Sequence, residues 1–178
     1  MRKVVAYELL SLDGVAESPD SFIHEWDGGV DAHLAGVIAE QDAVILGRAS
    51  YEEWARFWPT SDIEPFATFI NGVQKYVATS TPLGSDWANA TRIEGDLAAF
   101  VDDLRNQPGG EIGVHASITL TRSMLAARLI DELKVVIAPA IPGTGRRLLE
   151  GLPETRLELL SAESSSSGHL LATYRVIR

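Results

Sequence analysis

Hydrophobic positions along the 178-residue chain fall into short runs separated by longer amphipathic stretches. Residues 4–10, 43–46, 74–78, 111–115 and 133–138 are largely apolar and of strand length, as buried parallel strands are. A brief strand is also expected near residues 91–93. Between these runs the period changes to that of a helix. Val30, Leu34, Val37 and Ile38 form one stripe over residues 30–40, and Tyr51, Trp54 and Ala55 another from residue 49 onward. Residues 64–71, 96–106 and 118–128 read as further helices, the second carrying Leu97, Phe100, Val101 and Leu104 inward with a cap at Gly95 or Asp96. Two period-2 segments, 156–161 and 170–177, close the chain around E-S-S-S-S-G, the signature of an antiparallel hairpin. Strand and helix in alternation, then a hairpin, predict an α/β fold with a mainly parallel, doubly wound sheet and an antiparallel C-terminal edge.

The C-terminal ends of the strands carry the candidate chemistry, because ligands of open α/β sheets sit there. The run at 43–46 meets Gly47-Arg48, which places a cation at the start of a helix, the unfavourable end of the helix dipole. A bound phosphate would relieve that, and so would an ion pair with Glu52 or Glu53. The first strand runs into S-L-D-G, leaving the carboxylate of Asp13 at its end as a turn former or a catalytic group. Thr79-Ser80 follow the third run as phosphate or ribose donors or as ordinary turn residues. Gly113 suggests close approach of a backbone or ligand, His115 a structural histidine or a site residue, and Ser117 a helix N-cap. Residues 15–29 form a long loop that holds Phe22 and Trp26, large apolar groups for a segment that covers something.

Composition narrows the partners. A net charge of -10 and a pI near 4.8 give no basic surface for nucleic acid or anionic membrane, so anions must be held locally. There is no cysteine and no apolar run of membrane-spanning length. The N-terminal apolar run breaks at Glu8, too early for a signal peptide, so a cytoplasmic protein of one domain, residues 1–178, is expected. Neither a G-x-G-x-x-G fingerprint after the first strand nor a Walker A sequence is present, and the histidines and carboxylates show no metal-ligand spacing.

Taken in order, S-L-D-G at 11–14, L-G-R-x-S-Y-E at 46–52, K-Y-V-A-T-S-T at 75–81, I-G-V-H-A-S at 112–117, L-I-D-E-L at 129–133 and P-x-x-P-G-x-G-x-R-L at 139–148 resemble a known group. The group is the dihydrofolate-reductase-like family, specifically the reductase domain at the C-terminus of the riboflavin-biosynthesis bifunctional deaminase–reductase and its stand-alone relatives. The resemblance covers nearly the whole chain. It implies a three-layer dihydrofolate-reductase-like fold, NADPH as cofactor, and hydride transfer to a pteridine, pyrimidine or ribosylated aminopyrimidine. It further implies that Gly47, Arg48, Ala49 and Ser50 lie along the cofactor phosphates. Thr79 and Ser80 would hold its adenosine end, and Gly113, Val114, His115, Ala116 and Ser117 would offer backbone N–H groups to the pyrophosphate. Where relatives often have two small residues, commonly glycines, this chain has His115-Ala116. Asp13 matches the family aspartate facing substrate. Trp26 and Asp31 reproduce the tryptophan–acid spacing of dihydrofolate reductases proper, which makes Asp31 a second candidate for the substrate carboxylate. Relatives are commonly homodimers, and the terminal hairpin offers an edge for pairing. A protein that binds the nucleotide or a small ligand without turnover fits the same residues.

Overall fold

A computed structural model describes residues 1–177. Strands β1 (Val4–Ser11), β2 (Gln41–Gly47), β3 (Gln74–Ala78), β4 (Ala90–Arg92), β5 (Glu111–His115), β6 (Glu132–Ala138), β7 (Arg156–Ser164) and β8 (Leu170–Ile177) form one 8-stranded sheet. Their order is β4-β3-β2-β5-β1-β6-β8-β7. The first six strands of that order run parallel, and the β7–β8 hairpin joins antiparallel to β6. Helices α1 (Gly28–Ala39), α2 (Arg48–Phe57), α3 (Phe66–Gly72), α4 (Leu97–Arg105) and α5 (Ile118–Ala126) cover the sheet in two layers.

Alternation along the buried strands sends side chains to two separate cores. Val4, Ala6 and Leu10 of β1 pack with Val101 and Leu104 of α4 and with Leu120 and Met124 of α5. Tyr7 faces the other way, into a core built from Val30, Leu34, Val37 and Ile38 of α1, Tyr51 of α2, and Phe66 and Ile70 of α3. The expected strands at 74–78 and 111–115 form with those bounds, and the hairpin's first strand extends three residues further, to Ser164.

Helix α1 begins two residues before Val30 because Asp27 caps it, accepting from Gly29 N at 2.8 Å and Val30 N at 3.0 Å. The other carboxylate oxygen of Asp27 accepts from the hydroxyl and backbone N–H of Ser167 and from the Ser166 hydroxyl, so one side chain ties the β7–β8 turn to the start of α1. These bonds, led by that of the Ser167 hydroxyl, hold the Asp27 carboxyl far below the ordinary carboxylate range. Asp96 caps α4 in the same way, accepting from Ala99 N at 3.0 Å. At the opposite end of the sheet, Lys75 lies completely buried and donates to the carbonyls of Ile70 and Val73, where α3 ends. No helix among the described residues is long and apolar enough to cross a membrane.

Candidate active site

The parallel strands end together on one rim, and several connections meet there. After β2, Gly47 is the N-cap residue of α2 and Arg48 its first helical residue, exposed beside exposed Ala49. Arg48 forms no ion pair with Glu52 or Glu53, although its charge still acts on Glu52. Glu52 accepts from Gly84 N at 2.7 Å and from the Ser85 hydroxyl at 2.5 Å, and these bonds hold its carboxyl below the ordinary range. Arg48 therefore faces an open cleft of about 650 Å³ lined by Arg48, Ala49, Glu52, Arg56, Pro82 and Gly84. The loop after β3 forms the other wall, and Tyr51 holds it with a 2.8 Å bond to the Ser85 carbonyl. Thr79 is a turn residue in this loop: its hydroxyl accepts from Thr81 N at 3.2 Å. Ser80 beside it is exposed. Ser50 sits half-buried in the first turn of α2.

The turn from β5 into α5 is the second connection. Ala116 and Ser117 have φ of 49° and 62°, two consecutive non-glycine residues in the left-handed region, which costs backbone strain. Ser117 occupies the N-cap position of α5 but makes no side-chain cap bond. Its hydroxyl instead accepts from Gly47 N at 2.9 Å, which fastens the ends of β2 and β5 together and leaves the first amides of α5 uncapped by it.

His115 turns away from this rim. Its ring is buried, Nε2 lies 2.7 Å from Gln41 Oε1, and burial pushes its pKa down to about 3. The same pair explains Gly113, since a Cβ there would clash with Gln41 Oε1 and meet His115 Nε2 at 2.9 Å. The close approach expected at Gly113 is made by a side chain of the protein itself. Val114 points into the α4–α5 core.

A third connection follows β1. The Ser11 hydroxyl donates to Asp13 Oδ1 at 2.6 Å, and Arg147 donates from Nε to the Asp13 carbonyl at 3.0 Å and from the second guanidinium nitrogen to Oδ2 at 3.2 Å. The Ser11 bond first, and Arg147 among the lesser contributions, keeps Asp13 below the ordinary carboxylate range. Asp13 is thus a fixed negative charge at neutral pH rather than a proton donor. Arg147, from the Gly-x-Gly loop, is a partner that the strand-end pattern did not reveal. The loop of residues 15–29 continues the connection after β1. Phe22 is buried against Val15 and Ala138, while Trp26 stays exposed and donates from its indole N–H to Asp31 Oδ1 at 2.6 Å. Asp31 lies in the first turn of α1.

Behind the rim, β1 carries two buried ionisable residues. Glu8 is 3% exposed, and burial pushes its pKa up to about 8 against the lowering effect of Thr121. Thr121 Oγ1 lies 2.7 Å from Glu8 Oε1 and 3.3 Å from the Ala116 carbonyl. The Thr121 hydroxyl, the donor to Glu8, also lies within reach of the Ala116 carbonyl, and so links β1 to the strained Ala116-Ser117 turn. Sequence alone gave no role to Glu8, although an acid in a strand flanked by parallel neighbours is a signal in itself.

Comparison with known proteins accords with this architecture. Bacillus subtilis (strain 168) has two uncharacterized proteins similar along most of their length. YwjB is 28% identical over 162 residues, covering 89% of each chain. YyaP is 21% identical over 178 residues, covering 97% of this chain and 94% of that one. A protein assigned to riboflavin biosynthesis from Shewanella sp. PV-4 superposes with a TM-score of 0.78 at 19% identity, covering 99% of both chains. Dihydrofolate reductase from Enterococcus faecalis, complexed with NADP(H) and RAB-propyl, superposes with a TM-score of 0.65 at 12% identity, covering 99% of this chain and 97% of that one. At such identities the likeness speaks to the fold, which is that of dihydrofolate reductase. The sequence model of the RibD C-terminal domain matches residues 2–171, and the chain belongs to that family.

Proposed function

We propose that this protein is an NADPH-dependent reductase of a small heterocycle of pteridine, pyrimidine or ribosylaminopyrimidine type. The observation that carries the reading is Arg48, a cation held at the first turn of α2, without an ion pair among the described residues, on the wall of an open cleft. A guanidinium at a helix N-terminus suits an anionic ligand, and in a chain of net charge -10 it supplies attraction the bulk surface does not. Arg48 and Arg56 with the hydroxyls of Ser50, Thr79 and Ser80 suit the phosphate-bearing adenosine end. The amides following Ala116-Ser117 suit the pyrophosphate.

NADPH, when bound, supplies the hydride. The residues of this chain do the rest: Asp13, ionised and fixed by Ser11 and Arg147, offers charge to an amino edge or to an acceptor nitrogen that gains a proton during reduction. Asp31 offers a second carboxylate from α1. A second copy of the chain fits the free edge of β7, every residue of which is exposed, Leu157, Leu159 and Leu160 included.

Arg48→Glu tests the reading. Titration of tryptophan fluorescence with NADPH and NADH should show NADPH affinity reduced roughly tenfold or more, and NADH less, since attraction to the additional phosphate becomes repulsion. Unchanged affinity would remove Arg48 from the site. Saturable binding of NADPH without oxidation by any offered heterocycle would leave the protein a ligand-binding member of the family.

A further inference from the structure

One carboxylate holds the wall of the cleft that faces α2. Arg48, Glu52 and Arg56 stand four residues apart in α2 and so share the helix face that lines the cleft. Glu52 reaches across the cleft rather than along the helix. Its Oε1 accepts from Gly84 N and its Oε2 from the Ser85 hydroxyl, while the neighbouring Tyr51 hydroxyl donates to the Ser85 carbonyl. The fit is close, for a Cβ on Gly84 would come 3.0 Å from Glu52 Oε1 and 3.3 Å from Oε2. Among the described residues, only these hydrogen bonds tie residues 79–85 to the rest of the fold. Thr79 bonds within the loop, to Thr81, and Leu83 adds apolar packing against the core under α1.

A carboxylate is an unexpected group on the wall of a cleft that suits anions. Standing between two guanidiniums, it cancels part of the attraction they offer in a chain of net charge -10. Its two bonds to the loop account for its place there, since hydrogen bonds to an ionised group are the stronger class. We propose that Glu52 is a positioning residue: its clamp on Gly84 and Ser85 sets the spacing between Arg48 on α2 and the hydroxyls of Thr79 and Ser80 on the loop, and through that spacing the preference for NADPH over NADH. This rests on the reading of the cleft as the seat of the phosphate-bearing adenosine end. A phosphate bridged by a guanidinium on one wall and hydroxyls on the other needs a fixed separation, because hydrogen bonds weaken steeply beyond their ordinary length. A nucleotide without that phosphate makes no such bridge and tolerates a looser wall.

Glu52→Gln and Glu52→Ala test the proposal, because both remove the same negative charge and only the second removes the clamp. In the first, the amide oxygen still accepts from Gly84 N and the amide N–H donates to the Ser85 oxygen. Each variant of the full chain is titrated with NADPH and with NADH by tryptophan fluorescence, with melting temperatures recorded alongside. Glu52→Ala should bind NADPH roughly tenfold more weakly, the worth of one such bond, with NADH affinity within about threefold. Glu52→Gln should keep the ratio of the two affinities within about twofold of the wild type. A ratio that collapses in Glu52→Gln as well would make charge and not the clamp the cause, and the inference falls. It falls too if Glu52→Ala weakens both nucleotides equally with a lowered melting temperature, as a residue that only supports the fold would. Should Glu52→Ala fail to fold, Ser85→Ala removes one of the two bonds from the opposite wall and should lower the ratio about threefold. An unchanged ratio there overturns the inference. A wild type that binds neither nucleotide sinks the cofactor reading along with this one, whereas NADPH binding without a preference, or with one that no variant moves, sinks this one alone.

Discussion

Glu8 and Tyr7 are neighbours on β1 and point to opposite faces of the same sheet. Both are almost fully buried and both are held neutral by burial, Glu8 with its pKa pushed up to about 8 and Tyr7 pushed further above its ordinary range. Their surroundings differ in one respect. On the α5 face, Glu8 has a hydroxyl partner that continues to the Ala116 carbonyl. On the α1 face, the Tyr7 hydroxyl has none among the described residues. A burial whose polar groups are closed within the protein is structural. One left open costs stability. The two faces of one strand therefore differ in how their buried polar groups are satisfied.

Thr121→Val should break the comparison most severely. The variant keeps the shape of Thr121 but strands both Glu8 and the Ala116 carbonyl, so chemical denaturation should show a loss of roughly 3 kcal/mol. Tyr7→Phe in the same assay should lose essentially nothing. Equal losses in the two variants would mean that the faces are alike and that Tyr7 has a partner after all.

The pH dependence of stability isolates Glu8. Its carboxyl ionises near 4.5 in the unfolded chain but near 8 when folded, so the folded state holds the proton longer and stability is lost as pH rises through that interval. Buried His115 acts in the opposite sense. It stays neutral down to about pH 3 when folded, so the unfolded chain takes up its proton first as pH falls below 6.5. The two slopes oppose each other below pH 6.5 and only that of Glu8 remains from 6.5 to 8. Across that window urea titrations should show a fall of about 2 kcal/mol, at about 1.4 kcal/mol per pH unit. Glu8→Gln retains an acceptor for the Thr121 hydroxyl and should flatten the slope. A slope that survives the substitution would assign it to other groups.

The sheet, its parallel run and its antiparallel edge were legible because strand-length apolar runs and helical stripes are local patterns. The rim was legible in part: Gly47-Arg48 and S-L-D-G stand where the chain leaves a strand, and a helix start beside an arginine has the same physics wherever it folds. What remained hidden is non-local. Nothing near Asp13 in sequence announces Arg147, nothing near Gly47 announces the Ser117 hydroxyl, and the serines of the hairpin turn give no sign that Asp27 gathers them. Glu8 interrupted an apolar run and so spoke only against a signal peptide. That a partner waited 113 residues away in α5 depends on the crossover bringing that helix over β1. Gly113 carried a true signal, close approach, and the Gln41 side chain makes one such approach.

The smallest expected effect is at Asp31. Asp31→Asn should change the stability of the ligand-free protein by less than about 0.5 kcal/mol, because its bond to the Trp26 indole is exposed. In calorimetric titrations with 5,6-diaminouracil the same substitution should weaken binding if Asp31 is the second substrate carboxylate. Unchanged affinity would leave Asp31 only a first-turn acid of α1, placed by the helix dipole and not by the chemistry of the site.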